Sequence, residues 1–335
     1  MTATGSLAGV PPTDPALPEV FGRSDAAAAG LTNGQISRRL RAGRWTRVRH
    51  GWFSPVGDLD DRARWLAEIV AELAEHRRPL VLSHAHAARA WGWPEPLDGW
   101  GSLVFTDTSG AVRTGRVRIA VAPLDENEQV RGRLVVTSPA RTVIDCARTL
   151  PPRDALAIVD AALRSGRVTP AALGAALERS RGWPGAPLAR RVVGLADGRR
   201  ESPLESWSAW AFNENGLAPP LWQVDVRDVG GVLLGRADAW WLEGVAGEAD
   251  GRAKYRTRAL SRGTGSLEDI EAVLHEERAR ETSMRRTGVP VVRWGARDVL
   301  SVVRARELAG YIDDQRSSAK AVPFHGSVHL PSLRR

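Results

Sequence analysis

Three carboxylates stand close together late in this 335-residue chain, in the stretch Gly235-Arg-Ala-Asp238-Ala-Trp-Trp-Leu-Glu-Gly-Val-Ala-Gly-Glu248-Ala-Asp250-Gly. They fall among apolar residues rather than in a solvated run, and carboxylates are rarely buried without a partner. Glu248 and Asp250, at i and i+2, share one face of a strand, and Asp238 on the preceding strand reaches that face if the register allows. Three converging carboxylates repel one another. A hard divalent cation is the commonest reason to assemble them, because Mg²⁺ prefers carboxylate oxygen and completes its shell with water and substrate phosphate. Lys254, past the turn at Gly251, adds a positive charge nearby.

The flanking pattern says which elements would position these groups. Two apolar runs, Val232 to Leu234 and Ala239 to Leu242, lead through Glu243-Gly244 into Val245 and Ala246, which predicts neighbouring strands joined by a tight turn. Upstream, Ser202-Pro203-Leu204-Glu205 is a capping box that opens a helix. That structural role stands beside a site role for Glu205. Downstream, a long helix is expected over 266–287, a strand over 289–294 and a helix over 296–309. Helices around such strands predict a mixed sheet flanked by helices.

Asp238, nine intervening residues and Glu248-Ala-Asp250-Gly251 resemble the core of the PD-(D/E)XK nucleases, in the branch similar to very-short-patch-repair endonucleases. The resemblance spans about 201–309, with Glu205 as the acidic helix residue, Gln223 in the strand before Asp238, and Glu277-x-x-Arg280 and Gly288-Val-Pro-Val-Val-Arg293-Trp294 as the closing helix and strand. Asp250 stands where the family's usual lysine is expected, so Lys254 would supply the charge. The resemblance implies a Mg²⁺- or Mn²⁺-dependent endonuclease with Asp238, Glu248 and Asp250 on the metal. Lys254 would stabilise the phosphorane-like transition state, and Glu205 would complete the shell.

The N-terminal part carries a different chemistry. Leu31-Thr32-Asn-Gly-Gln35-Ile36 combines a capping box with a hydrophobic staple and predicts a helix running to about Ala42. Ile36 and Leu40 face inward, leaving Arg38, Arg39 and Arg41 toward solvent. Arg44-Trp-Thr-Arg47-Val-Arg49-His-Gly51-Trp-Phe then alternates like a hairpin. Helix, turn, basic helix and basic hairpin is the order of a winged helix-turn-helix. Arginines on a helix can simply solvate it, but here the hairpin repeats the charge, and Arg38, Arg39, Arg41, Arg47 and Arg49 read as phosphate contacts to DNA. This run resembles the N-terminal domain of AbiEi-type antitoxins over residues 20–55, and more loosely to about 195.

The formal charge of +8, from 47 basic and 39 acidic residues, suits a polyanionic partner. One cysteine, Cys146, excludes an internal disulfide and a thiolate zinc cluster. No apolar run approaches the ~20 residues of a membrane span and no leader pattern is seen, so a cytoplasmic protein is expected. His84 and His86, two residues apart on a helix, cannot chelate from one face and are assigned structural roles. No P-loop or Gly-x-Ser-x-Gly elbow is present.

The expected architecture is thus multidomain, α+β and α/β. It comprises a flexible 1–19, a winged helix over 20–55, an α+β antitoxin-like scaffold over 56–195, a restriction-endonuclease-like mixed sheet over 196–312 and a disordered 313–335. Gly182-Trp-Pro-Gly-Ala-Pro187 reads as a boundary before the last domain. Two functions are open. One is a Mg²⁺-dependent DNA endonuclease, and the other is an AbiEi-type antitoxin or repressor with an inactive nuclease-like domain and a cognate toxin as partner.

Overall fold

The computed structural model describes residues 17–76, 79–108, 110, 117–250, 284, 288–321 and 324–330. Among these the chain is mixed α and β, with three sheets and eleven helices. It divides into two compact units, one of residues 1–82 and 102–136, the other of 83–101 and 137–335. Neither unit ends at residue 55 or at 195.

The first unit opens with β1 (Phe21–Gly22), α1 (Arg23–Ala28) and α2 (Asn33–Arg41), followed by the hairpin β2 (Thr46–Arg49) and β3 (Trp52–Ser54). The predicted capping box forms: the Gln35 amide donates to Thr32 Oγ1 at 3.3 Å and the Thr32 amide to Gln35 Oε1 at 2.8 Å. The cap of α1 is Gly22, whose amide donates to the Asp25 carboxylate at 2.7 Å. Ile36 and Ala26 bury against Phe21, Trp45 and Phe53, and Trp45 stands edge-on to Phe21 with ring centres 5.0 Å apart. β1, β3 and β2 form a small antiparallel sheet.

Helix α3 (Asp61–Glu75) follows, capped by Asp60, whose carboxylate accepts from the Ala63 amide at 2.7 Å. Its apolar face, with Trp65 and Ile69, buries with Leu80, Leu82, Phe105 and Ile119 of a second sheet. That sheet runs β6 (Val117–Val121), β5 (Leu103–Asp107), β4 (Val81–Leu82), β8 (Val135–Thr137), β7 (Gln129–Arg131).

The second unit has a helical part and a sheet. The helical part comprises α4 (His84–Trp91), α5 (Pro139–Thr149), α6 (Pro152–Arg164), α7 (Pro170–Arg179), α8 (Ala186–Gly194) and α9 (Pro203–Glu214). Asp145 on α5 is fully buried between Arg141 at 3.0 Å and Arg148 at 2.9 Å. Both arginines lie over the Trp183 ring, 4.3 and 5.0 Å from its centre. The stretch expected to be a linker at 182–187 is therefore packed on α5, because cation–π contacts hold its tryptophan.

The sheet runs β12 (Val291–Trp294), β11 (Val245–Ala249), β10 (Leu233–Trp241), β9 (Leu221–Arg227), β13 (Ser327–His329). The two apolar runs around Asp238 form one strand, β10, and the tight turn follows it at 242–244. β9, β10 and β11 are antiparallel neighbours, whereas β12 is parallel to β11. Phe212 of α9 packs against Trp241 and Trp294, with ring centres 5.8 and 5.3 Å away. Gly247 on β11 is required there, since a Cβ would come within 2.6 Å of the Trp294 ring.

Residues 313–321 and 324–330 depart from the expected disorder. Helix α10 (Ala296–Leu300) leads into α11 (Val302–Ala319), and β13 then adds an edge strand to β9. Ala305, Ala309, Ile312 and Ala319 bury at helical spacing. Arg316 clamps Glu243 of the 242–244 turn with two bonds, at 2.6 and 3.1 Å. Those bonds hold the Glu243 carboxyl below its ordinary range. The expected helix over 266–287 lies outside the described residues, apart from Met284. Among the described residues no helix is long and apolar enough to cross a membrane.

Candidate carboxylate site and basic face

Glu205 enters from the first turn of α9, where it fulfils the capping role and more. Its amide donates to Ser202 Oγ at 3.3 Å, the Ser202 hydroxyl donates to Glu205 Oε1 at 2.8 Å, and the Glu201 amide donates to Oε2 at 2.9 Å. The next residue, Ser206, is tied to Asp160 of α6 at 2.7 Å, and Asp160 also binds Arg200 at 2.7 Å and the Asp197 amide at 2.8 Å. The loop into α9 is thereby fixed, and Glu205 with it.

Across from Glu205 stands Gln223 of β9. Its Nε2 donates to Glu205 Oε2 at 2.9 Å and to Asp238 Oδ1 at 3.2 Å. The pairing of β10 with β11 ends at Ala239 opposite Gly247. One residue on, Asp238 Oδ2 accepts from the Ala249 amide at 3.0 Å, so the side chain takes over from the ladder. All three residues are buried. Burial, and after it the charge of Asp238, pushes the Glu205 carboxyl up to about 7, against the opposing pull of its hydrogen bonds.

Glu248 is half-buried on β11, in register with Arg293 of β12. Asp250, just beyond β11, accepts from Arg293 Nη1 at 3.0 Å. Lys254 lies outside the described residues. The expected convergence of Asp238, Glu248 and Asp250 is not found: among the described residues no group of three or more His, Cys, Asp or Glu side chains gathers as metal ligands. Asp238 accepts from Gln223 and the Ala249 amide, and Asp250 pairs with Arg293. In the sequence, Gln223 enters through the nuclease resemblance, as a polar residue in the strand before Asp238, but without a role. Arg293 enters in the same way.

The Mg²⁺ or Mn²⁺ implied by the nuclease resemblance needs carboxylate oxygens converging at about 2.0–2.1 Å on one point. Here the Gln223 amide nitrogen stands between the Glu205 and Asp238 carboxylates. As they stand, these residues do not fit the ion.

The basic face is partly as expected. Arg38, Arg41 and Arg47 are exposed. Arg39 is half-buried, with its guanidinium 5.0 Å from the centre of the Trp45 ring. Arg49 is turned inward: Nη1 binds Glu72 at 2.8 Å and Nη2 binds Glu75 at 3.0 Å, both on α3. Arg49 is thus a bolt between hairpin and helix. His84 and His86 are buried, with Ser83 Oγ 2.9 Å from His84 Nδ1 and the Gly101 carbonyl 3.3 Å from His86 Nε2.

Residues 105–191 match the family described as the AbiEi antitoxin C-terminal domain. The match lies in the region expected to be the antitoxin-like scaffold, downstream of the 20–55 run on which the resemblance is closest. Over 114 residues, 34% of the chain, the sequence is 39% identical to "Uncharacterized protein MT2308" and to "Uncharacterized protein Rv2248", from two strains of Mycobacterium tuberculosis. The chain spans 41% of the length of each of these relatives. The crystal structure of RV2827C protein from Mycobacterium tuberculosis aligns at 16% identity with a TM-score of 0.38, covering 58% of this chain and 76% of that one.

Proposed function

We propose that this chain is a DNA-binding protein of the antitoxin type. The elements from Phe21 to Ser54 act as a winged helix-turn-helix on duplex DNA, and a cognate toxin protein is the further partner. The observation that carries this reading is the exposure of Arg38, Arg41 and Arg47 on α2 and the hairpin behind it, where a major-groove helix and its wing present charge to phosphate. The match of residues 105–191 to an antitoxin domain supports the class.

The alternative, a Mg²⁺- or Mn²⁺-dependent endonuclease, draws on Asp238, Glu248, Asp250 and Glu205. The geometry favours it less, because Gln223 holds the space between Glu205 and Asp238 and Asp250 is turned to Arg293. The deciding experiment titrates fluorescent duplex DNA with the full chain at several salt concentrations. It is repeated with Arg38, Arg41 and Arg47 changed together to alanine. Salt-dependent binding that weakens in the variant supports the reading. Absence of binding, or binding indifferent to all three changes, removes it.

A further inference from the structure

Buried carboxylates from separate elements need a positive or donating group between them. Glu205 on α9 and Asp238 on β10 share one such group, the Gln223 Nε2, at 2.9 and 3.2 Å. A carboxamide has two N–H donors, and one faces each carboxylate. We propose that the Gln223 carboxamide stands in the place of a cation and closes a divalent-cation site that Glu205 and Asp238 would otherwise form.

Three observations carry this. First, the remaining bonds hold both carboxylates without help from Gln223. Ser202 Oγ and the Glu201 amide hold Glu205, and the Ala249 amide holds Asp238. The pair therefore keeps its geometry when the amide is removed. Second, Gln223 has φ +57, in the left-handed region that non-glycine residues seldom adopt, although β9 pairs with β10 on either side of it, Val224 with Ala237 and Trp222 with Ala239. The surrounding strands thus hold the chain in a conformation that its residue type disfavours, and the side chain turned out of regular order is the one between the carboxylates. Third, the ligand chemistry is specific. Two carboxylates suit a hard divalent ion such as Mn²⁺, which prefers oxygen ligands.

The test uses the full-length protein and MnCl₂, read by calorimetric titration and by thermal melting. The variants are Gln223→Gly, Gln223→Ala and Gln223→Gly with Asp238→Asn. Glycine suits φ +57, so Gln223→Gly keeps the fold where alanine strains it. The native chain is expected to show no saturable Mn²⁺ binding and no melting shift. Gln223→Gly should bind one Mn²⁺ and melt higher in its presence, and the added Asp238→Asn should abolish both effects. Saturable binding to the native chain that Asp238→Asn removes would overturn the proposal. So would a folded Gln223→Gly that binds no Mn²⁺. Neither outcome bears on the DNA titration, which reads the arginines of the other unit.

Discussion

Arg49, the last residue of β2, is joined to Glu72 in the middle of α3, Nη1 to Oε2 at 2.8 Å, with the two side chains only 8% and 7% exposed. Read from sequence, Arg49 continues a row of phosphate-binding arginines. In the fold it binds its own chain. Arg49→Ala leaves Glu72 buried without this partner, and breaking a buried pair from one side costs about 3–5 kcal/mol. Urea unfolding should show a loss of that order, partly recovered when Glu72→Gln is added. The salt dependence of DNA binding should not move.

Arg38, Arg41 and Arg47 should do the opposite. Each phosphate contact contributes about 0.9 to the slope of log K against log salt for duplex DNA, so alanine at all three should flatten that slope by about 2.7. Stability should hardly change, because the three side chains are exposed. Fluorescence anisotropy across a salt series reads the first effect and thermal melting the second.

Glu205 makes stability depend on pH in an unusual direction. Burial first, and then Asp238, raise its carboxyl from an ordinary 4.5 to about 7. Between those values the folded state holds a proton that the unfolded chain has released. Stability therefore falls as pH rises through this window and levels off above about 7. Glu205→Gln, which keeps the shape of the side chain, should flatten the melting temperature over the same window. A pH dependence equal to that of the native chain would show that Glu205 is not its source.

Ile312 tests the C-terminal helix. It is fully buried on α11, just ahead of the segment whose Ser, Lys and Gly content signals disorder. Ile312→Ala should cost about 2–5 kcal/mol, as buried large-to-small changes do. A loss near zero in urea unfolding would mean that the helix does not pack in solution.

What the sequence made legible was local. The Thr32–Gln35 and Ser202–Glu205 caps form between residues three apart, and the stop at Gly43 needs only its own φ of +66. The strands around Asp238 were legible from period and turn residues. Partner choice was not, because it is decided across elements. Arg49 meets a residue 23 positions on, Gln223 meets one residue 18 positions back and another 15 on, and Asp250 meets Arg293, 43 positions away. No spacing rule reaches that far. The helix expected over 296–309 is found as α10 and α11 and runs on to Ala319. The extension was not legible because past Ala309 it buries Ile312 and Ala319, too sparse a period to stand out among the polar residues between them.

The division of the chain at residues 82, 101 and 136 bears on its synthesis and its ancestry. β4 ends at Leu82 and pairs in parallel with β8 through Val136, so the first unit cannot close until some 54 further residues have been made. An emerging chain must hold its N-terminal helices and hairpin beside an unfinished sheet, a long-range closure of the kind that slows folding. The segment that matches the antitoxin domain, 105–191, carries the end of the first unit and a middle part of the second. Recombination at the edges of that segment would leave both units open, so the two are expected to have been inherited together rather than exchanged as cassettes.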